Sequence, residues 1–338
     1  MTTVYFATNR KKDGTGQFGY GRELVSLDPG QVAYAVTEVT GINLPDQDSG
    51  TIGAIKNLST GNFSAATQQT IVNAGHNLLV FVHGASNRFE DAIKRAAFNR
   101  EWFAASGNTA ANTTVVAFTW PSAEIGIGNA LPGYKRDQAQ AGKSGFHLQE
   151  FLKNMFDLRG LLRAAHPQAR VVLLVHSMGN HALKGGIESW FEANGPDALI
   201  FDQVILAAPD EVADTFEHAG GGLSNLPRLS DRISIYFSRE DRLMWLSADA
   251  NNNKRLGGNG PTSKMDSAKY PAAKFRLVDC TQALDFSLLV PLDASHQYYR
   301  RSPAVRGDIV ACVKDNPRLP GGLSEISTIP LPPPEAIA

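Results

Sequence analysis

Three residue types that together perform nucleophilic catalysis occur in one chain order: Ser177, then the carboxylates Asp210 and Asp241, then His296. A serine hydroxyl is scarcely ionised at neutral pH. It attacks a carbonyl only when an imidazole takes its proton and a buried carboxylate fixes the imidazole tautomer. Ser177 lies in VVLLVHSMGNHALKGG, residues 171–186, where an apolar run ends abruptly in a serine followed by Gly179 and helix-forming residues. A strand-to-helix turn this sharp strains the serine backbone, tolerates only small neighbours and lifts Oγ clear of the sheet, which is the nucleophile elbow. The usual GxSxG pattern is broken, because Val175 stands where the first glycine belongs.

A second apolar run, in NLLVFVHGASNRFEDAIKRAAF at 77–98, ends in His83 and Gly84 before a helix expected from about Asn87. A loop at this place donates one backbone N–H to the developing oxyanion, and the residue after the nucleophile donates the other. The expected donors are Ala85 and Met178. Gly84 lets the backbone approach substrate closely. His83 and Gly84 join the candidate binding residues, and His176, which precedes the serine, either lines the pocket or packs against a neighbouring strand.

Two segments offer the acid. DRISIYFSREDRLMWLS, at 231–247, places Asp241 in the loop after a strand over 233–237, and VILAAP is followed by Asp210. Asp241 is preferred because the loop after that strand is the commoner acid position. Asp210 remains the alternative acid, or else the cap of a helix over 210–219 or part of the pocket floor. His296 follows the last expected strand, KFRLVDC at 274–280, in the loop segment ASHQYYRRSP.

Elements able to hold these residues are legible from apolar periodicity. Strands are expected near 3–8, 31–38, 78–83, 114–119, 171–175, 203–208, 232–237 and 274–279, with helical segments between most of the later ones. The first two suit an antiparallel start, and the strand–helix alternation that follows demands crossovers and a parallel sheet. The expected fold class is α/β, an eight-stranded and mostly parallel sheet with helices on both faces, its active loops gathered at the carboxyl ends of the strands. A single domain over 1–315 is the economical division of the 338 residues, with lid or rim loops at 121–143 and 248–271 and a proline-rich extended or disordered tail at 316–338. In the first rim segment Ile127 and Tyr134 are candidate pocket residues.

Composition removes several function classes. The chain is 43% hydrophobic, and its 32 basic residues balance 33 acidic ones, so nothing steers it toward a nucleic acid. Cys280 and Cys312 have no metal-ligand spacing and read as buried thiols or one disulfide. AGKS at 141–144 has Asp137 where a phosphate loop needs its first glycine, and no HExxH helix exists. No metal and no cofactor is expected. Without a signal-like leader or a bilayer-length apolar run, a cytoplasmic location is expected, with no transmembrane segment.

Taken together, VYFATNRKK with the later FGYGR, FVHGASNRFEDA, AFTWPS, the Tyr134 and Asp137 pair before Ser144, LLVHSMGNHAL, ILAAPDEVADTF, YFSREDRLM and HQYYRRSP resemble one bacterial group of the esterase/lipase superfamily. That group is the α/β-hydrolase family called domain of unknown function nine hundred. The resemblance implies Ser177 as nucleophile, Asp241 as acid and His296 as base, and it implies no particular substrate. The expected reaction is hydrolysis of a small-molecule carboxylic ester, of short to medium acyl chain, through an acyl-enzyme. The alternatives are acyl transfer to another acceptor, amide cleavage, or a catalytically silent binding protein on the same fold.

Overall fold

The apolar runs are buried on both sides, and that decides the architecture. In Val171–His176 every residue is buried, with Val171, Leu173 and Val175 in one core cluster and Val172 and Leu174 in the other. A strand apolar on both faces needs helices above and below it. In the computed structural model, which describes residues 1–107, 112–122, 130–283, 294–315, 319 and 322–326, this is the arrangement.

The chain opens with β1 (Thr2–Thr8), the hairpin β2 (Arg10–Lys12) and β3 (Tyr20–Leu24), β4 (Ala33–Thr40), β5 (Thr51–Ile52) and β6 (Lys56–Thr60). Then follow α1 (Ala65–Asn73), β7 (Asn77–Val82), α2 (Phe89–Ala104), β8 (Thr113–Thr119), α3 (Ala130–Lys143), α4 (Gly145–Ala165), β9 (Val171–His176) and α5 (Gly179–Glu192). The last third holds β10 (Phe201–Ala207), β11 (Ser230–Phe237), α6 (Arg242–Asn251), α7 (Leu256–Asn259), β12 (Phe275–Asp279), α8 (Pro303–Val313) and β13 (Ser324–Glu325).

The main sheet runs β13-β12-β11-β10-β9-β7-β8-β1-β4-β5, with β6 also on β4. Its centre, from β12 to β1, is parallel throughout, whereas β4, β5, β6 and β13 join antiparallel. Leu148 and Phe151 of α4 and Leu183 and Ile187 of α5 share one core with the sheet, and Ile93 and Phe98 of α2 share the other with Val305 and Ile309 of α8.

All eight expected strands are present, but among the described residues the sheet has eleven. The additional strands gave no periodic signal: β5 and β13 have two residues each, and β6 reads KNLST with mostly exposed side chains. Two segments expected as rim loops are partly helical. α3 occupies 130–143, and the stretch 248–271 contains the end of α6 and all of α7. Within the expected tail, Ser324 and Glu325 pair with Asp279 and Val278 at the open edge of β12. Cys280 and Cys312 are both buried and free. No helix among the described residues is long and apolar enough to cross a membrane.

Candidate active site

Parallel strands deliver their carboxyl ends to one rim, where β7, β9, β10 and β11 bring Gly84, Ser177, Asp210 and Asp241 together. Ser177 sits between β9 and α5 with φ of +53°, a left-handed conformation that costs a non-glycine residue about 1–3 kcal/mol. Its backbone is held from both sides. The Ser177 amide donates to Ala207 O at 3.0 Å, and its carbonyl accepts from Asn180 N at 3.0 Å, Asn180 Nδ2 at 2.9 Å and Asp210 N at 3.1 Å.

The turn is tight enough to specify its neighbours. A Cβ on Gly179 would lie 2.5 Å from His83 O, and one on Gly84 would lie 2.7 Å from the Ser177 Cβ. Both contacts involve parts that cannot rotate away, so both positions require glycine. Val175 is different: it is wholly buried in the core, and the elbow forms with valine where the motif has glycine.

The loop after β7 is fixed by buried polar groups. Trp120 N–H donates to His83 Nε2 at 3.1 Å, so the ring proton is on Nδ1, which donates to Gly84 O at 2.8 Å. Burial pushes the His83 imidazole well below its ordinary pKa, and the Arg10 guanidinium adds to the shift, which keeps this neutral form. Asn87 Nδ2 donates to Gly84 O at 2.9 Å and to Ala85 O at 2.6 Å. Ser86, at φ +59°, donates its amide to Asp137 Oδ2 of α3 at 3.1 Å, and Arg10 Nη2 donates to Asn87 O at 2.9 Å. In a planar trans peptide a carbonyl fixed at Gly84 points the Ala85 N–H the opposite way. Among the described residues, no acceptor takes the amide hydrogen of Ala85 or of Met178.

On the other side, Asp241 caps α6, its Oδ1 accepting from Leu243 N and Met244 N at 3.1 Å each. Its Oδ2 lies 2.7 Å from His296 Nδ1, with both side chains buried. A carboxylate accepts, so Nδ1 carries the proton and Nε2 of the neutral ring carries the lone pair. His296 belongs to a short 3-10 turn, Ala294–His296.

Asp210 has other partners. Arg255 bonds its Oδ1 through Nε at 2.8 Å and Nη2 at 2.7 Å, both residues being buried, and Ser247 Oγ approaches the same oxygen at 2.5 Å. Tyr134 Oη donates to Asp210 Oδ2 at 3.0 Å, and burial followed by the Asp210 charge pushes the phenol above its usual range. No helix over 210–219 forms, because this stretch is turns. Asp210 therefore ties α3, α6 and α7 together.

Tyr134, expected in the pocket, spends its hydroxyl in that network. His83 has both ring nitrogens engaged within the protein, stacked on Trp120 with centroids 5.1 Å apart. His176 packs between His296 and Tyr299. Ile127 lies outside the described residues. Asn87, Asp137, Arg10 and Arg255 went unassigned in the sequence; Arg10, Asn87 and Asp137 lie within the segments that carry the family resemblance, whereas Arg255 lies outside them.

A comparison with curated proteins gave no match. Residues 61–312 match the family described as an alpha/beta hydrolase of unknown function (DUF900). This stretch contains the loop after β7, the elbow, both candidate acids and His296, and it covers well over half of the chain. The chain therefore belongs to the DUF900 family of alpha/beta hydrolases.

Proposed function

We propose that the protein is a serine hydrolase that cleaves carboxylic esters through an acyl-enzyme. The observation that carries the reading is the 2.7 Å contact between buried Asp241 and His296 Nδ1, at the same rim as a serine held at φ +53°. In this reading His296 Nε2 takes the Ser177 proton as Oγ attacks the ester carbonyl. The Ala85 and Met178 amides receive the developing oxyanion, and loss of one such donor costs on the order of 3 kcal/mol of barrier. The alcohol leaves with the proton held by His296. Water, activated by the same imidazole, then releases the acid.

Acyl groups of short to medium length are part of the reading, because the sequence carries the apolar Ile125, Ile127 and Leu131 in the segment that follows β8. Each added buried CH₂ is expected to favour the reaction by about 0.8 kcal/mol until the pocket is full. The test is labelling with a fluorophosphonate together with hydrolysis of p-nitrophenyl esters of graded chain length. Parent protein is expected to gain one adduct on Ser177 and to turn over esters, and Ser177→Ala to lose both while keeping its fold. An adduct of equal yield on Ser177→Ala would reject the assignment.

A further inference from the structure

Among the described residues, His296 lies between two short turns. It ends one 3-10 turn, Ala294–His296, and a second turn, Tyr298–Arg300, follows at once. Neither supplies the hydrogen-bond ladder of a helix, so the base needs other restraints. Asp241 fixes one ring nitrogen. Among the described residues, the His296 carbonyl is taken by a single donor, His176 Nε2, at 3.2 Å.

His176 is well made for that task. Its ring lies 4.6 Å from the His296 ring and 4.7 Å from Tyr299, between centroids, so it fills the space under the base as well as bonding to its backbone. Because a carbonyl only accepts, Nε2 carries the ring proton. The unprotonated Nδ1 then faces Gly84, where a Cβ would stand 3.1 Å from it. Burial holds His176 well below the ordinary imidazole range, and the neighbouring His296 and Arg300 act in the same direction. The ring stays neutral beside His296 even when that residue takes up a proton.

We propose that His176 is a positioning residue for His296: its Nε2–H and ring face hold the base against Asp241 and toward the nucleophile. The proposal rests on the reading of His296 as the base. It also gives the residue before the serine a task that the elbow alone does not need, since backbone strain and small neighbours shape that turn.

The position of the donor makes the idea testable. A glutamine amide nitrogen reaches about as far from the backbone as histidine Nε2, whereas an asparagine nitrogen reaches only as far as Nδ1. His176→Phe keeps an aromatic face without the donor. His176→Phe and His176→Asn are expected to lower kcat about tenfold to a hundredfold with KM nearly unchanged, because a base misplaced by a fraction of an ångström loses rate before binding. His176→Gln is expected to recover most of the lost kcat. Alongside, the downfield proton resonance of His296 Nδ1–H, bonded to Asp241, is followed by NMR in all four proteins. It is expected to broaden or vanish in the Phe and Asn variants and to persist in Gln. Parent-level kcat and a sharp resonance in His176→Phe would overturn the proposal, as would a Gln variant as impaired as Asn. If the parent shows the resonance but neither labels nor hydrolyses esters, the ester-hydrolase reading fails alone, and the resonance in the variants still decides the role of His176.

Discussion

Asp210 and Asp241 follow neighbouring parallel strands, β10 and β11, and both are buried, yet they are embedded in opposite ways. Asp210 meets a buried guanidinium, a serine and a tyrosine, all from segments outside the sheet. Asp241 meets two helix amides on one oxygen and an imidazole on the other. A carboxylate neutralised by arginine is a fastener, joining α3, α6 and α7 at the rim. A carboxylate held by neutral amides keeps its charge available to a histidine. Nearness to Ser177 does not by itself free a carboxylate for a histidine: Asp210 bonds the Ser177 carbonyl through its own amide, and its side chain is nevertheless committed to Arg255.

The sharpest way to break this contrast is to remove each charge in turn. Asp241→Asn is expected to lower kcat by roughly 10⁴-fold, as loss of the correct imidazole tautomer does in comparable triads, with little change in thermal midpoint. Asp210→Asn is expected to do the reverse. It strands Arg255 in a buried site, so urea unfolding should show a loss of about 3–5 kcal/mol, while kcat in the folded protein should fall by less than about tenfold. If Asp210→Asn is instead the slower enzyme of the two, the roles exchange.

A smaller effect separates the two sides by pH. His83 and His176 are buried and neutral, with folded pKa values well below the unfolded imidazole. The unfolded chain thus binds protons that the folded chain refuses. Stability is full above about pH 6.5 and is lost as pH falls below it, by up to about 1.4 kcal/mol per pH unit for each histidine. Urea midpoints measured from pH 7.5 to pH 5 should decline accordingly, and the decline should be shallower in His176→Gln. An identical slope in the two proteins would remove His176 from this account.

The smallest expected effect concerns the fastener's outer bond. Tyr134→Phe removes the hydroxyl shared by Asp210, Ser247 and Asn251, and a loss of about 1 kcal/mol in urea unfolding is expected. Ester turnover should change little, because no reacting atom touches that hydroxyl in the proposed mechanism. A drop in kcat as large as that of Asp241→Asn would move Tyr134 back into the pocket.

Sequence alone determined the parts that depend on local pattern. Eight strands followed from apolar runs, and the elbow followed from a serine with glycine two residues later at the end of such a run, even with Val175 breaking the motif. The glycines at 84 and 179 were readable because a close backbone approach admits nothing larger. What the sequence could not decide was partnership across the fold. Arg255 is 45 residues from Asp210, Asp137 is 51 from Ser86, and His176 is 120 from His296. No periodicity links such pairs. Their contacts exist only once parallel strands have brought distant loops to one rim, and there the pairing of each buried charge or donor is set by which partner satisfies it away from water. For that reason His83 and Tyr134, placed near the pocket by sequence position, are bound within the protein, and the Arg255 and Tyr134 partners of Asp210 became visible only in three dimensions.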